Sequence, residues 1–151
     1  MKVTIGFRKA KKEDVDFLVL LRKKSMNKHL IKAGIAMNHS EHLARIEAFF
    51  NDAHIILYNR KSIGLLTLGV MSSSLHIRQF QILPEFQGKG IGNVVINIVK
   101  KRALQCGLPI TLNVLVDNPA RALYLRHGFQ IKHKNKLEYQ MLCPLAVVSD
   151  Y

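Results

Sequence analysis

The segment from Leu75 to Val116 constrains the fold more than any other. A β-rich run, "LHIRQFQIL", ends at Pro84, a glycine cluster, "EFQGKGIGNVV", follows, and a helix-periodic stretch leads into a second β-rich run, "ITLNVLV". Behind the glycines, Ile91, Val94, Val95, Ile98 and Val99 repeat at i, i+3, i+4, i+7 and i+8, until Gly107 and Pro109 stop the helix. A strand, a helix and a strand in that order make a crossover, so the two strands run parallel. The remaining strands have to be arranged around that pair.

Upstream, "VTIGFR" at residues 3–8 predicts a first strand, and "KEDVDFLVLLRKKSMNKHL" a helix with acids in its first turn and bases in its last, matching the helix dipole. After a loop at residues 31–39, "HSEHLARIEAFF" predicts a second helix with Ser40 as its N-cap. "AHIILY", "SIGLLTLGVM" and "LHIRQFQIL", joined by short turns, read as an antiparallel meander. Downstream, "NPARALYLRHG" reads as a short helix with Asn118 as N-cap, Pro119 at its first position and Gly128 as its stop. "FQIKHKNKLEYQML" closes as a hairpin turning near residues 133–136, and "CPLAVVSDY" is a tail whose apolar "LAVV" offers a surface for a homodimer.

The 151 residues fit a single domain, 1–151, and 48% hydrophobic content gives it a core. The start has no apolar h-region with a cleavage site, and no stretch offers about 18 consecutive apolar residues, so a cytoplasmic protein without membrane attachment is expected. Cys106 and Cys143 form neither a CxxC pair nor part of a metal-ligand pattern, and no metal is expected. The net charge of +13, from 23 Lys plus Arg against 10 Asp plus Glu, favours polyanionic partners without choosing among them. Its spread along the whole chain suits a solvated basic surface equally well.

The glycine cluster is the chemical signal. A strand, a Gly-rich turn and a helix start converge several backbone N–H groups at a positive dipole end, which makes an anion cradle. Gly88, Gly90 and Gly92 allow close approach or a positive φ, and Lys89 adds charge at the rim. A Walker turn is excluded, because Leu83 stands where GxxxxGK[ST] needs its first glycine and Gly90 follows Lys89. A dinucleotide fingerprint fits poorly, since the glycines run GxGxG after a meander rather than GxGxxG after a first strand.

"QGKGIG", Gln87 to Gly92, resembles the Q/R-x-x-G-x-G/A signature of the GNAT superfamily of N-acetyltransferases, and "DNPARALYLRHGFQ" resembles that superfamily's second block. The order of elements resembles the family over nearly the whole chain. The resemblance implies an α/β (α+β) fold, with a central mixed, mostly antiparallel sheet and helices on both faces. It implies transfer of acetyl from acetyl-CoA to a primary amine, of a small molecule or a protein, by direct attack in a ternary complex. It also implies roles: Gln81, Ile82 and Leu83 offer backbone groups to the pantetheine arm of coenzyme A, and Gln87, Gly88, Lys89, Gly90, Ile91, Gly92 and Asn93 form the pyrophosphate turn. Asn118 matches a residue that contacts pantetheine or caps the helix, and Tyr124 the aromatic that protonates the leaving thiolate. Arg121, one turn before Tyr124, is a further candidate for the cofactor's phosphates. A noncatalytic acyl-CoA-binding module and, behind it, a basic nucleic-acid-binding protein are the rival readings.

One departure concerns the general base. Family members often carry a Glu on the strand before the glycine turn, whereas "LHIRQFQIL" has no acid and leaves His76, Gln79 and Gln81. His76 sits at the far end of that strand, and Gln79 and Gln81 share a face on which they could order a water. Glu138 on the last hairpin is the nearby acid to test. The segments that usually select the acceptor, "IKAGIAMNH" and "IKHKNKLEY", are apolar and basic, and would repel a polyamine unless Glu41 or Glu138 turned inward.

Overall fold

Ile55 and Ile56 are neighbours in sequence, as are Leu65 and Leu66, and all four are buried. Successive strand side chains point to opposite faces, so burial of such pairs requires both faces of the sheet to be covered. The computed structural model, which describes residues 4–145, has that construction. The order is β1 (Ile5–Lys9), α1 (Val15–Lys32), α2 (His39–Glu47), β2 (Ala53–Tyr58), β3 (Lys61–Val70), β4 (Leu75–Ile82), α3 (Ile91–Cys106), β5 (Ile110–Leu115), α4 (Ala120–Arg126), β6 (Gln130–Lys134) and β7 (Glu138–Cys143). The 7-stranded sheet runs β1-β2-β3-β4-β5-β7-β6. Helices α1 and α2 pack Leu18, Leu21 and Ile46 on Ile55 and Leu65. On the other face, α3 and α4 pack Val95, Ile96 and Tyr124 against Ile56, Leu66 and Ile77.

All neighbouring strands are antiparallel except β4 and β5, which are parallel as the crossover requires. Their pairing covers only Leu75–Ile77 and Ile110–Leu112. Beyond those rungs the edge of β4 toward β5 has no strand partner among the described residues, and the sheet opens into a cleft. A bulge aids this: Thr67 pairs with Gln79 and Leu68 with Ile77, so Arg78 is the extra residue of β4. The extra residue resets the alternation, placing Ile77, Phe80 and Ile82 in the core under α3. Gln79 and Gln81 face α1, on the opposite side from Phe80, and each reaches a side chain of that helix.

Several boundaries differ from the expectations. Helix α1 continues through Lys32, and α2 begins at His39, so the loop between them is shorter than residues 31–39. Its cap is Asn38 rather than Ser40: Asn38 Oδ1 accepts from the Glu41 amide at 2.9 Å, and Glu41 Oε1 accepts from the Asn38 amide at 3.4 Å. That reciprocal box satisfies two otherwise orphaned donors, which Ser40, already inside the helix, does not do. At α4 the cap position falls to Pro119, φ −66°, and the helix begins at Ala120, one residue later than expected for both; Asn118 stands just before the cap, where its Oδ1 accepts from the Ala120 amide at 2.9 Å. The last hairpin turns at residues 135–137, where Asn135 Oδ1 accepts from the Leu137 and Glu138 amides. Val3 and the tail beyond residue 145, with most of "LAVV", lie outside the described residues. Among the described residues, no helix is long and apolar enough to cross a membrane.

Candidate functional site

The glycine turn sits at the end of β4, held by two contacts. The Gln87 amide donates to Pro84 O at 3.1 Å, and Gln87 Nε2 donates to Ile82 O at 2.9 Å, which ties the turn to the strand. Gly88 and Gly90 have φ of 74° and 81°, a left-handed conformation that an L-side chain enters at a cost of about 1–2 kcal/mol. A Cβ at either would meet no atom within 4 Å, so the space above the turn is open. The amides of Gly88, Lys89, Gly90, Ile91, Gly92 and Asn93 have no acceptor among the described residues, and they open at the positive end of the 16-residue helix α3. Gly92 differs from the other two: it lies inside α3, where a Cβ would come within 3.0 Å of Leu123 Cδ2, and it sets the close approach of α3 to α4.

Two cavities flank the cleft. The first, of about 450 Å³, extends from Gln87, Gly88, Gly90 and Gly92 to Asn93 and Asn118. The second, of about 410 Å³, lies on the side of α1 and α2, with Arg22, Arg45, His76 and Glu138 in its lining. They share Met26, Phe80, Gln81, Asn118 and Tyr124, so these residues mark where one cavity meets the other.

Tyr124 belongs to that junction. Its ring is buried, 5.5 Å from the Phe129 ring, and burial pushes its phenol pKa well above the ordinary value near 10. The phenol is therefore protonated throughout the neutral range. Gln81 is 7% exposed, and its Oε1 is buried without a hydrogen-bond partner among the described residues. Such an orphaned acceptor costs about 1–3 kcal/mol unless a donor reaches it. His29 also lines the first cavity with Nδ1 unpartnered, and burial, aided by Lys28 and Lys32, lowers its pKa.

Ile82 and Ile91 are core residues flanking the turn, and Leu83 donates its amide to Ile63 O at 2.8 Å. Lys89 is exposed with Nζ 5.7 Å from the Phe86 ring centroid, and Asn93 Oδ1 lies 2.9 Å from His127 Nε2. Arg121 is not brought to the cleft. Its guanidinium stacks 5.0 Å from the Tyr139 ring centroid and donates to Tyr139 Oη at 2.8 Å, and it lines neither cavity. Its neighbour on β7 holds it, while Tyr124 points inward. Glu138 lines the second cavity at the start of β7, opposite Leu115. His76 lines it too, with Nδ1 2.8 Å from Thr111 Oγ1 and a pKa lowered by burial and by Arg78. Among the described residues, no group of 3 or more His, Cys, Asp or Glu is placed to hold a metal.

A family model described as the acetyltransferase (GNAT) domain matches residues 22–141. The chain belongs to the GNAT acetyltransferases. Solved structures with this fold include the PaiA N-acetyltransferase of Thermoplasma acidophilum in complex with coenzyme A, 18% identical, covering 92% of this chain and 98% of that one at a TM-score of 0.75. An acetyltransferase of Thermus thermophilus is 16% identical, covering 92% and 96% at a TM-score of 0.75. N-acetylglutamate synthase of Neisseria gonorrhoeae, complexed with coenzyme A and N-acetyl-glutamate, is 13% identical and covers 97% of this chain and 36% of that one at a TM-score of 0.70. The GNAT match makes the chain an N-acetyltransferase, with acetyl-CoA as the donor typical of the family.

Sequence reasoning missed Arg22, Met26 and Arg45 as cavity residues. For Arg22 a signal exists: it follows Leu18 at i+4 in α1, on the side of the helix where Leu18 is buried. Met26 and Arg45 carry no comparable mark, because only the packing of α1 and α2 over β4 brings them to the cleft.

Proposed function

We propose that the chain transfers the acetyl group of acetyl-CoA to a primary amine by direct attack, with both substrates bound at once across the splayed strands. The observation that carries this is the meeting of two cavities at Tyr124 and Gln81, one leading from the glycine turn and the other from the α1–α2 side. The residues present fit coenzyme A: free amides and open space at the turn suit a pyrophosphate, and the unpaired edge of β4 suits an extended amide-bearing arm. In this reading the amides of Gly88 through Asn93 hold the pyrophosphate. Lys89 adds charge at the rim, and the backbone of Gln81 to Leu83 lines the arm. Gln87 braces the turn, Asn118 closes the junction by fixing the start of α4, and Arg121 acts through Tyr139 rather than on phosphate.

Acetyl-CoA supplies an activated acyl group. Transfer forms an N–C bond and breaks the C–S bond; an ammonium entering the site gives up two protons, one to solvent and one balanced by protonation of the sulfur. Tyr124 donates a hydrogen bond, and then a proton, toward the departing sulfur. Its burial keeps that proton on the phenol until the charge develops. Gln81 Oε1 accepts from the amine and orients it. Glu138, in the lining of the second cavity, is the base to which the amine's proton passes, directly or through water.

An acceptor screen with acetyl-CoA that follows free thiol, with mass spectrometry of the products, tests the reading. Acceptor-dependent thiol release with a product heavier by one acetyl group is expected. Tight acetyl-CoA binding with no product from any amine would leave a noncatalytic acyl-CoA-binding protein.

A further inference from the structure

The second cavity holds an uncompensated positive charge. Arg22 is 4% exposed, yet among the described residues no carboxylate meets it, and the single salt bridge joins Arg8 to Asp14, elsewhere in the fold. Its guanidinium donates to Gln79 Oε1 at 2.8 Å and to Met37 Sδ at 3.8 Å, and its Nε has no partner. Gln79 is fixed in turn, because its Nε2 donates to the Arg45 carbonyl at 2.7 Å. Burial, with Arg45 adding like-charge repulsion, lowers the Arg22 pKa to about 10. An arginine buried without a counter-charge is strongly destabilising, and an anion brought against the guanidinium in the cavity offsets the cost.

The surroundings repeat the sign. Arg45 and Arg78 share the lining, Arg78 stacked 3.7 Å from the Phe49 ring centroid with its Nε unpartnered, and Glu138 is the cavity's acid among the described residues. Leu30, Ile35, Met37 and Phe49 supply apolar wall between the arginines. At the junction, Gln81 lines both cavities with its Oε1 unsatisfied, an acceptor that a small turn of the side chain would bring to an N–H donor. The cavity therefore presents a site for an anion, an apolar wall, and a hydrogen-bond acceptor where it opens toward Tyr124.

We propose that the acceptor is a free amino acid with an apolar side chain, its carboxylate on Arg22 and its amine directed by Gln81 toward the acyl donor. This rests on the acetyltransferase reading and narrows it from any primary amine to one carrying a carboxylate. The same lining disfavours polyamines, whose extra charges would meet the arginines.

The experiment compares leucine, methionine and phenylalanine with their carboxamides, with the matched amines lacking the carboxyl, and with phosphoethanolamine, following thiol release. Alongside it, calorimetry titrates leucine and leucinamide into protein saturated with coenzyme A, which requires no turnover. The free amino acids are expected to exceed their amides in kcat/KM by about 10²-fold, as a desolvated charge-assisted pair implies. Arg22→Met should erase that preference, chiefly through KM, and abolish leucine binding, with acetyl-CoA affinity preserved as the sign of an intact fold; Arg22→Lys should restore part of the preference. Equal use of acids and amides, or leucine binding unchanged in Arg22→Met, overturns the proposal. So does a preference for phosphoethanolamine, which would assign the arginines to phosphate. Leucine binding that depends on Arg22 with no turnover of any amine would uphold the anion site and remove the acetyltransferase reading instead.

Discussion

At the scale of residues, substitutions at Tyr124 and Gly90 should separate catalysis from binding on the proposed mechanism. Tyr124→Phe removes only a hydroxyl and keeps the ring on Phe129, so kcat should fall by about 10²-fold with the acetyl-CoA dissociation constant unchanged, as steady-state kinetics and calorimetry would report. Gly90→Val places a β-branched residue at φ 81°, costing about 1–2 kcal/mol of stability, and fills the space above the turn. Calorimetry should then find acetyl-CoA binding weakened by at least about 10²-fold in a protein whose circular dichroism still reports a fold. The glycine turn and Tyr124 were legible because their signals are local: a spacing of glycines, and an aromatic on a helix with clear caps. Arg121 was not, since sequence places it one turn from Tyr124 but cannot show that Tyr139, on another element, holds it away from the cleft. The Asn38 cap shows the same limit on a smaller scale, because two capping residues stood two positions apart and only geometry chose between them.

At the scale of elements, the placement of Tyr124 depends on how closely α4 approaches α3. Gly92 permits that approach, since a Cβ there would lie 3.0 Å from Leu123 Cδ2. Gly92→Val should overpack the contact, lower stability by about 1–3 kcal/mol in chemical denaturation, and reduce kcat by displacing Tyr124 on the same short helix. Leu123→Ala in the same chain should recover part of both losses; simple additivity of the two substitutions would show that they do not share a contact. The order of strands and helices was readable because periodicity, glycine stops and the crossover rule all agree over the whole chain. The bulge at Arg78 and the early end of the β4–β5 pairing were not. Both are relations between strands, and they place the cleft.

At the scale of the whole molecule, the positive charge bears on how the fold responds to acid. His29, His42, His76 and His127 all have pKa values below the ordinary 6.5, with burial as the largest cause, so the unfolded chain takes up protons more readily than the folded one. Their depressed values cost nothing while the rings are neutral, and stability should fall as pH drops below about 6.5. Asp14, held below its usual range mainly by its hydrogen bond to Arg8, adds stability that is lost in a more acidic window, as pH falls through its depressed value. Urea midpoints should therefore be lower at about pH 5 than at about pH 7.5, and equal midpoints would show that these four histidines do not set the acid response. On the proposed mechanism, one cleft brings donor and acceptor together for direct transfer. The initial-velocity pattern with acetyl-CoA and the best acceptor varied together tests it most directly. Intersecting double-reciprocal lines, with no acetylated protein on incubation with acetyl-CoA alone, are the result expected. Parallel lines with acetyl bound covalently to the chain would contradict it.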